Sequence, residues 1–483
     1  MTNSRAFQSP GSWQVFYGVG AVRFAKGATS EINLAWYLGT AGGDATDALN
    51  KIIASLNFSA GGNVFIPRAL WTTTGGHDLP TNTLIRGGNS SVNAINDSQI
   101  KLVSSNTYIF KISGNVREVS IKRLTLSSAG DTAATATVGI LATSSYPNST
   151  LGCYFEDVVF YGFTDTAFKV DSTAPAPPRT DPWEFIQNHF VRCWFMLNKT
   201  GFRCNTINSG FKFDMCYFSL RAIDTDKGFT VGGTGFDIES VGQLIVDQYL
   251  AIGNGPGGQN PSDGSTLLKT TNAFNSIVMI GQDENIEWAY IKNGGAYSQI
   301  PVIFRNCSPF QSKAKFNAVG EIVFDNCELK TTDAGIIHDS AAGTATIYLT
   351  GKNYLENTAN PSNPRLTNFV NNYSRVFYPD GNVNEKFIAA PGTPTANNSY
   401  INATSGGITF AAGVTIIDIF TTLINQYTVG STIDAFIRTS NPDNVTVSAT
   451  IYPDYGFIRF TLSAASTVNL SVGFNIRLGT QRF

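Results

Sequence analysis

Acidic and basic side chains recur at one register along part of this chain. Ala167-Phe-Lys-Val-Asp171, Gly201-Phe-Arg-Cys-Asn205 and Gly235-Phe-Asp-Ile-Glu239 repeat every 34 residues, Leu268-Lys-Thr-Thr271 lies 32 residues further on, and Gly139-Ile-Leu-Ala-Thr143 lies 28 residues before. Hydrolysis of a glycosidic bond requires two flanking carboxyl groups, one to protonate the leaving oxygen and one to attack or to activate water. Elimination from a uronate instead requires a base and cations that stabilise the carbanion. Asp237, Glu239 and Asp171 are therefore candidate catalytic residues, and Lys169, Arg203, Lys269 and Asn205 are candidate contacts to an anionic sugar. The same pattern also fits a solvated sheet face whose opposite charges pair across strands with no ligand.

Successive side chains on a strand point to opposite faces. Phe168, Phe202 and Phe236 then face inward, Lys169, Arg203, Asp237 and Lys269 form one outward row, and Asp171, Asn205, Glu239 and Thr271 form the next. This places the Cα atoms of Asp237 and Glu239 ~6.5 Å apart, with Asp171 about 10 Å from Glu239. That range brackets the carboxyl separations of both retaining and inverting hydrolases.

Reserve catalytic candidates are the acidic cluster Asp283, Glu284 and Glu287 ahead of Trp288, and the pair Asp214 and Asp247. Clustered acids in a loop are more often simply exposed. Trp183, in a Pro-rich insertion from 171 to 188, fits either a sugar-stacking platform or a wedge against the surface. His77, His189 and His338 lack metal-ligand spacing; His189 fits either a buried partner or a base. No phosphate loop, zinc cluster, nucleophile elbow or nucleotide fingerprint occurs, so neither a metal nor a cofactor is expected.

A second repeat must position these residues. In Glu321-Ile-Val-Phe-Asp-Asn-Cys-Glu-Leu329, apolar residues stand two before Phe324 and three and five after it. The template also fits around Phe155, Phe190, Phe213, Val246 and Phe304, at spacings of 35, 23, 33 and 58 residues, with Met279 dividing the long gap. Two polar residues between the apolar positions must turn the chain between short strands. At the second of them, Asp157, Asn306 and Asn326 suit a left-handed backbone, whereas Arg192, Met215 and Gln248 suit it less. Units of this size cannot bury their own apolar face and must stack on copies of themselves, which describes a parallel β-solenoid. Four of the six cysteines (Cys193, Cys216, Cys307, Cys327) take the inward position three after the anchor and read as small core fillers rather than a disulfide framework.

Composition agrees. Charged residues make up 14% of the 483, against ~25% in ordinary soluble proteins, while glycine (46) and phenylalanine (34) are plentiful, as Gly-rich turns and stacked aromatics require. A net charge of −2 gives no electrostatic case for nucleic acid. No apolar run nears the ~20 residues that span a bilayer, so membrane insertion is not expected, and the N-terminus lacks the plan of a signal peptide.

Asp44-Ala-Thr-Asp47 precedes an apolar stripe at Ala48, Leu49, Ile52, Ile53 and Leu56, predicting a short Asp-capped helix; Gly61-Gly-Asn-Val-Phe-Ile-Pro67 and Thr83-Leu-Ile-Arg-Gly-Gly88 read as turn and strand. In this order the motifs resemble the start of the pectate-lyase-like right-handed parallel β-helix superfamily, particularly its bacteriophage tailspikes and capsule depolymerases. The motif match covers about residues 40 to 130 and the repeat extends it to about 358. The resemblance implies that the helix caps the open end of the solenoid. It further implies a homotrimer on a phage tail, held through a baseplate or tail attachment protein, that acts outside the host on bacterial capsular or surface polysaccharide. Pro67-Arg-Ala-Leu-Trp71 departs from the family's Pro-x-Gly-x-Tyr, and the pectate-lyase and polygalacturonase catalytic motifs are absent. Pectin is therefore not the expected substrate, and no family catalytic residue carries over.

The expected organisation is all-β. It comprises a β-rich N-terminal segment (1–42), a right-handed parallel β-helix with a capping helix (43–358), a connecting segment (359–394) and a C-terminal antiparallel β-sandwich (395–483) for trimerisation or glycan binding. The sandwich rests on alternating runs such as Val445-Thr-Val-Ser-Ala-Thr-Ile451 and Phe457-Ile-Arg-Phe-Thr-Leu462, with a turn at Asn441-Pro-Asp443. Hydrolysis is the favoured reaction, β-elimination is next, and a non-catalytic adhesin on the same scaffold is the alternative function.

Overall fold

A computed structural model describes residues 31–38, 42–90, 97–114, 116–129, 132, 134–143, 150–171, 185–253, 265–270, 274–284, 286, 288–291, 302–316, 320–331, 337–339, 345–357, 375–377, 383–385, 401–402, 407–420, 432–452 and 457–477. The chain divides into two compact units, residues 1–315 with 327–330, and residues 316–326 with 331–483.

The first unit is a parallel β-helix. One coil shows the plan: Tyr154–Glu156, Val159–Tyr161 and Thr166–Val170 form three short strands, each pairing in parallel with its equivalent one coil on. The expected register holds. Phe155, Phe190, Phe213, Val246, Met279 and Phe304 follow one another in the first ladder, and Ile140, Phe168, Phe202, Phe236 and Leu268 in the second.

Stacking spaces the core rings by about one strand separation. Phe190 lies 4.6 Å from Phe155 and 4.4 Å from Phe213, and Phe195 lies 4.9 Å from Phe160 and 4.8 Å from Phe218. Each ring is buried, which stabilises the fold by about 1.5–3 kcal/mol per side chain. All six cysteines are buried and unbridged, and burial pushes the Cys153 thiol up to about 12 and Cys204 to about 11, so these are inert filler.

The corner after the first ladder is left-handed at all six template positions: Asp157, Arg192, Met215, Gln248, Asn306 and Asn326 have φ between 50° and 54°. Arg192, Met215 and Gln248 adopt this backbone although Asn and Asp tolerate it better. The corner amide donates outward to the next coil, from Asp157 to the Val191 carbonyl, from Arg192 to Asp214 and from Met215 to Asp247. That repeated bond fixes the conformation whatever the side chain.

The helix spans Thr46–Ser59, and the Asp44 carboxylate accepts from the Thr46 amide (3.0 Å) and hydroxyl (2.7 Å). These bonds lower the Asp44 pKa, the backbone one most. Ala48, Leu49, Ile52 and Leu56 are buried toward the first coil, whose strands Gly62–Ile66 and His77–Leu79 the helix contacts. The helix ends at Ala60, also left-handed.

The second unit includes the strands Gly320–Asp325, Ala345–Thr350 and Arg375–Phe377, which pair in parallel in that order. It also holds two antiparallel sheets of four and three strands. Phe410, Leu470 and Val472 from one sheet share a core with Ile417, Ile458, Phe460 and Leu462 from the other, as in a β-sandwich. The Asn441 side chain closes its turn on both the amide and the carbonyl of Val445.

Candidate functional site

The second ladder presents the expected outward row, because Lys169 pairs with Arg203, Arg203 with Asp237, and Asp237 with Lys269 on neighbouring strands. The row extends toward the N-terminus through Leu141, Lys111 and Asp78. Arg203 reaches both principal carboxylates, Nε lying 3.9 Å from Asp237 Oδ2 and Nη2 3.8 Å from Glu239 Oε2, while Lys269 Nζ lies 3.9 Å from Asp237 Oδ1. Lys169 Nζ sits 3.3 Å from Asp165 and 3.7 Å from Asp171, and Asn205 Nδ2 donates to Asp171 at 3.3 Å. All of these contacts exceed the 2.7–2.9 Å of a strong charged hydrogen bond. Their side chains are between one-fifth and one-half exposed.

The second outward row differs from expectation. Register shifts after Cys204, so that Asn205 stands opposite Ser240 and Glu239 becomes the extra residue of a bulge. A bulge turns its side chain out of the regular alternation, which is why Glu239 shares Arg203 with Asp237 instead of stacking on Asn205. Trp183, Glu287 and Thr271 lie outside the described residues.

The reserve acids separate. Asp283 is fully buried, the reverse of an exposed loop acid: it accepts from the amides of Gln311 (3.2 Å) and Ser312 (2.7 Å) and from the Ser312 hydroxyl. Burial raises its pKa to about 6 against the pull of those donors. Asp283 thus anchors the segment at residues 311–312 and is removed from the catalytic candidates. Glu284, its neighbour, is exposed. Asp214 and Asp247 are partners on the first ladder, whereas Asp237 lies on the second.

The first-ladder face holds a group that spacing alone did not assemble. Lys212 Nζ lies 2.9 Å from Asp214 Oδ2, and His189 Nε2 approaches the same oxygen at 3.4 Å. Burial acts to raise the Asp214 pKa, but Lys212 and His189 together outweigh it and lower it. At the adjoining corner Arg192 binds Asp157 (2.8 and 3.0 Å) and Glu156 (2.8 Å), and Glu156 also holds Lys122 at 2.9 Å. Apart from Lys212 and Asp214, two residues apart on one strand, these partners stand 25 to 36 residues apart, so only the repeat register could have found them. His77 is a structural residue: its ring bonds Thr73 and Asn50, and burial lowers its pKa to about 4. Among the described residues, no cluster of three or more His, Cys, Asp or Glu could hold a metal, and no helix is long and apolar enough to cross a membrane.

No family model and no curated protein matches this chain. Among solved structures it is similar to the tailspike protein gp49 of Acinetobacter baumannii bacteriophage Fri1, a capsular polysaccharide depolymerase, with a TM-score of 0.47 and 13% identity over 99% of this chain and 91% of that one. A tailspike variant from E. coli bacteriophage HK620 matches with a TM-score of 0.39 and 10% identity over 91% and 89% of the two chains. The enzymatically active domain of bacteriophage CBA120 tailspike protein 2 matches with 0.35 and 10% over 94% and 70%.

Proposed function

We propose that this chain is a phage tailspike that binds a bacterial capsular or surface polysaccharide and hydrolyses its glycosidic bonds on the second-ladder face. The observation that carries this reading is Arg203, which draws Asp237 and Glu239 to within 3.9 and 3.8 Å of one guanidinium on a rigid, partly exposed grid. Asp237 and Glu239 supply the two carboxyl groups that glycoside hydrolysis needs. Asp171 is the third carboxyl candidate, and Lys169, Lys269 and Asn205 bind the sugar beside them. The contacts are loose enough for a ligand to replace them. The proposal includes a homotrimer, attachment to the phage tail and action outside the host. Sedimentation of the purified chain tests the trimer.

Incubation with a panel of typed capsules tests the activity by size-exclusion chromatography. Falling polymer size that disappears in the Asp237→Asn/Glu239→Gln double variant supports hydrolysis at this face. Full activity in the double variant removes these two residues. Binding without shortening of any polymer makes the protein an adhesin.

A further inference from the structure

Thr46 and Asn50, one turn apart on the helix Thr46–Ser59, meet Thr73, Thr74 and His77 of the first coil along a polar seam. His77 stands at its centre. Its side chain is 1% exposed and lies beside the buried ring of Phe110, with centroids 6.3 Å apart. Nδ1 is 2.9 Å from Asn50 Oδ1 on the helix, and Nε2 is 2.6 Å from Thr73 Oγ1 on the coil. An amide oxygen only accepts, so Nδ1 carries the proton and Nε2 accepts from the Thr73 hydroxyl. Thr73 Oγ1 in turn accepts from the Gly75 amide at 3.0 Å, and Thr46 gives its own hydrogen to Asp44 at 2.7 Å. The network closes with His77 neutral.

A second proton on the ring has no place in this seam. An Nε2–H would point at Thr73 Oγ1, forcing the Thr73 hydrogen toward Thr46 Oγ1, which is 3.5 Å away and already accepts from the Thr74 amide. The new charge would face an amide, a hydroxyl and the Phe110 ring. Among the described residues, neither nitrogen bonds a carboxylate. Asp78, next in sequence, accepts from the Tyr108 hydroxyl at 3.1 Å and stands opposite Lys111. Glu31 is taken up by Arg86, and Asp44 reaches the ring only through Thr46 and Thr73. On the helix, Asp47 is exposed and Lys51 carries the same sign as a protonated ring. Burial therefore outweighs the pull of Asp78 and lowers the His77 pKa to about 4.

We propose that His77 makes the helix a pH-operated latch on the first coil, closed near neutrality and loosened in acid. Once the helix lifts, the imidazole enters water and takes up its proton near the ordinary 6.5, whereas the docked ring resists protonation down to about 4. The docked pKa is the lower of the two, so docking is strongest above pH 6.5 and weakens as pH falls toward 4. Between pH 7 and pH 4 the opening equilibrium should rise about 100-fold. Ala48, Leu49, Ile52 and Leu56, buried in the docked helix, would leave the interior together.

The test is hydrogen exchange of the full chain from pH 7 to pH 4, corrected for the intrinsic rate, following peptides over Thr46–Ser59 and over the stacked strands around Phe190 and Phe213. The helix should open about 100-fold more often at pH 4 than at pH 7, while the stacked strands keep their protection. Asn50→Asp sets a carboxylate of the same shape against Nδ1 and should flatten this pH dependence. His77→Gln has no proton to gain and should flatten it too. Helix protection that stays constant in wild type overturns the latch, and so does a parallel loss in the stacked strands, which is global unfolding. A pH dependence unchanged in Asn50→Asp overturns His77 as its origin, whether or not His77→Gln folds.

Discussion

The two outward faces of the same coils use charge differently. On the first ladder, Arg192, Glu156, Asp157 and Lys122 sit at 2.8–3.0 Å in a closed network. On the second, Arg203, Asp237, Glu239 and Lys269 sit at 3.8–3.9 Å. A bond already at its optimum distance gains nothing by exchanging partners, so the tight network holds a corner in place. Loose pairs give up little when a ligand arrives, which is why the glycan site is proposed on the second-ladder row.

Replacing the shared scaffold should damage both faces together. Phe190→Ala removes a ring stacked on Phe155 and Phe213 and is expected to cost about 3–5 kcal/mol, measured by denaturant unfolding. A melt that barely moves would break the premise that the coils are held from inside.

Asp283 supplies a pH test of the same interior. Its folded pKa of about 6 lies above its ordinary 3.8, so the folded state holds this proton more tightly than the unfolded chain does. Its stabilising contribution is complete below pH 3.8 and is lost as pH rises through about 6. At about 1.4 kcal/mol per unit, the wild type should lose about 3 kcal/mol relative to Asp283→Asn across that window. A difference between the two proteins that stays flat with pH would show the carboxyl to be solvated.

The faces themselves should separate. Arg192→Ala should lower stability by about 0.5–1 kcal/mol, since the network is exposed and screened, and leave glycan binding unchanged. Arg203→Ala should do the reverse, weakening glycan affinity about tenfold or more with stability altered by less than about 0.5 kcal/mol. Matching effects of the two substitutions on melting and binding would erase the distinction. The smallest effect belongs to the corner: Met215 holds φ 52°, and Met215→Asn should stabilise by about 0.5 kcal/mol, because Asn tolerates that backbone better.

Much of the scaffold was legible from residue types alone. Phe155, Phe190 and Phe213, and Phe168, Phe202 and Phe236, identified both ladders because stacking demands a like residue at each coil. The cysteines read correctly as core for the same reason. The Asp237 row followed from alternation, but the slip at Glu239 did not: the offset between the two coils passes from 34 at Cys204 and Ile238 to 35 at Asn205 and Ser240, past the last shared anchor of that ladder. Asp283 was misread because burial depends on what packs over a strand; in sequence it is one acid among several. The His189–Asp214 approach required aligning two coils and then looking diagonally across them, a contact that the period alone does not point to.

The most direct test is the size of a susceptible capsule after incubation with wild type and with Asp237→Asn/Glu239→Gln, both proteins confirmed folded by circular dichroism. Wild type should shorten the polymer and the double variant should bind it intact, with hydrolysis reduced at least about 10²-fold. Equal rates of hydrolytic shortening by the two proteins would contradict the assignment of the second-ladder face.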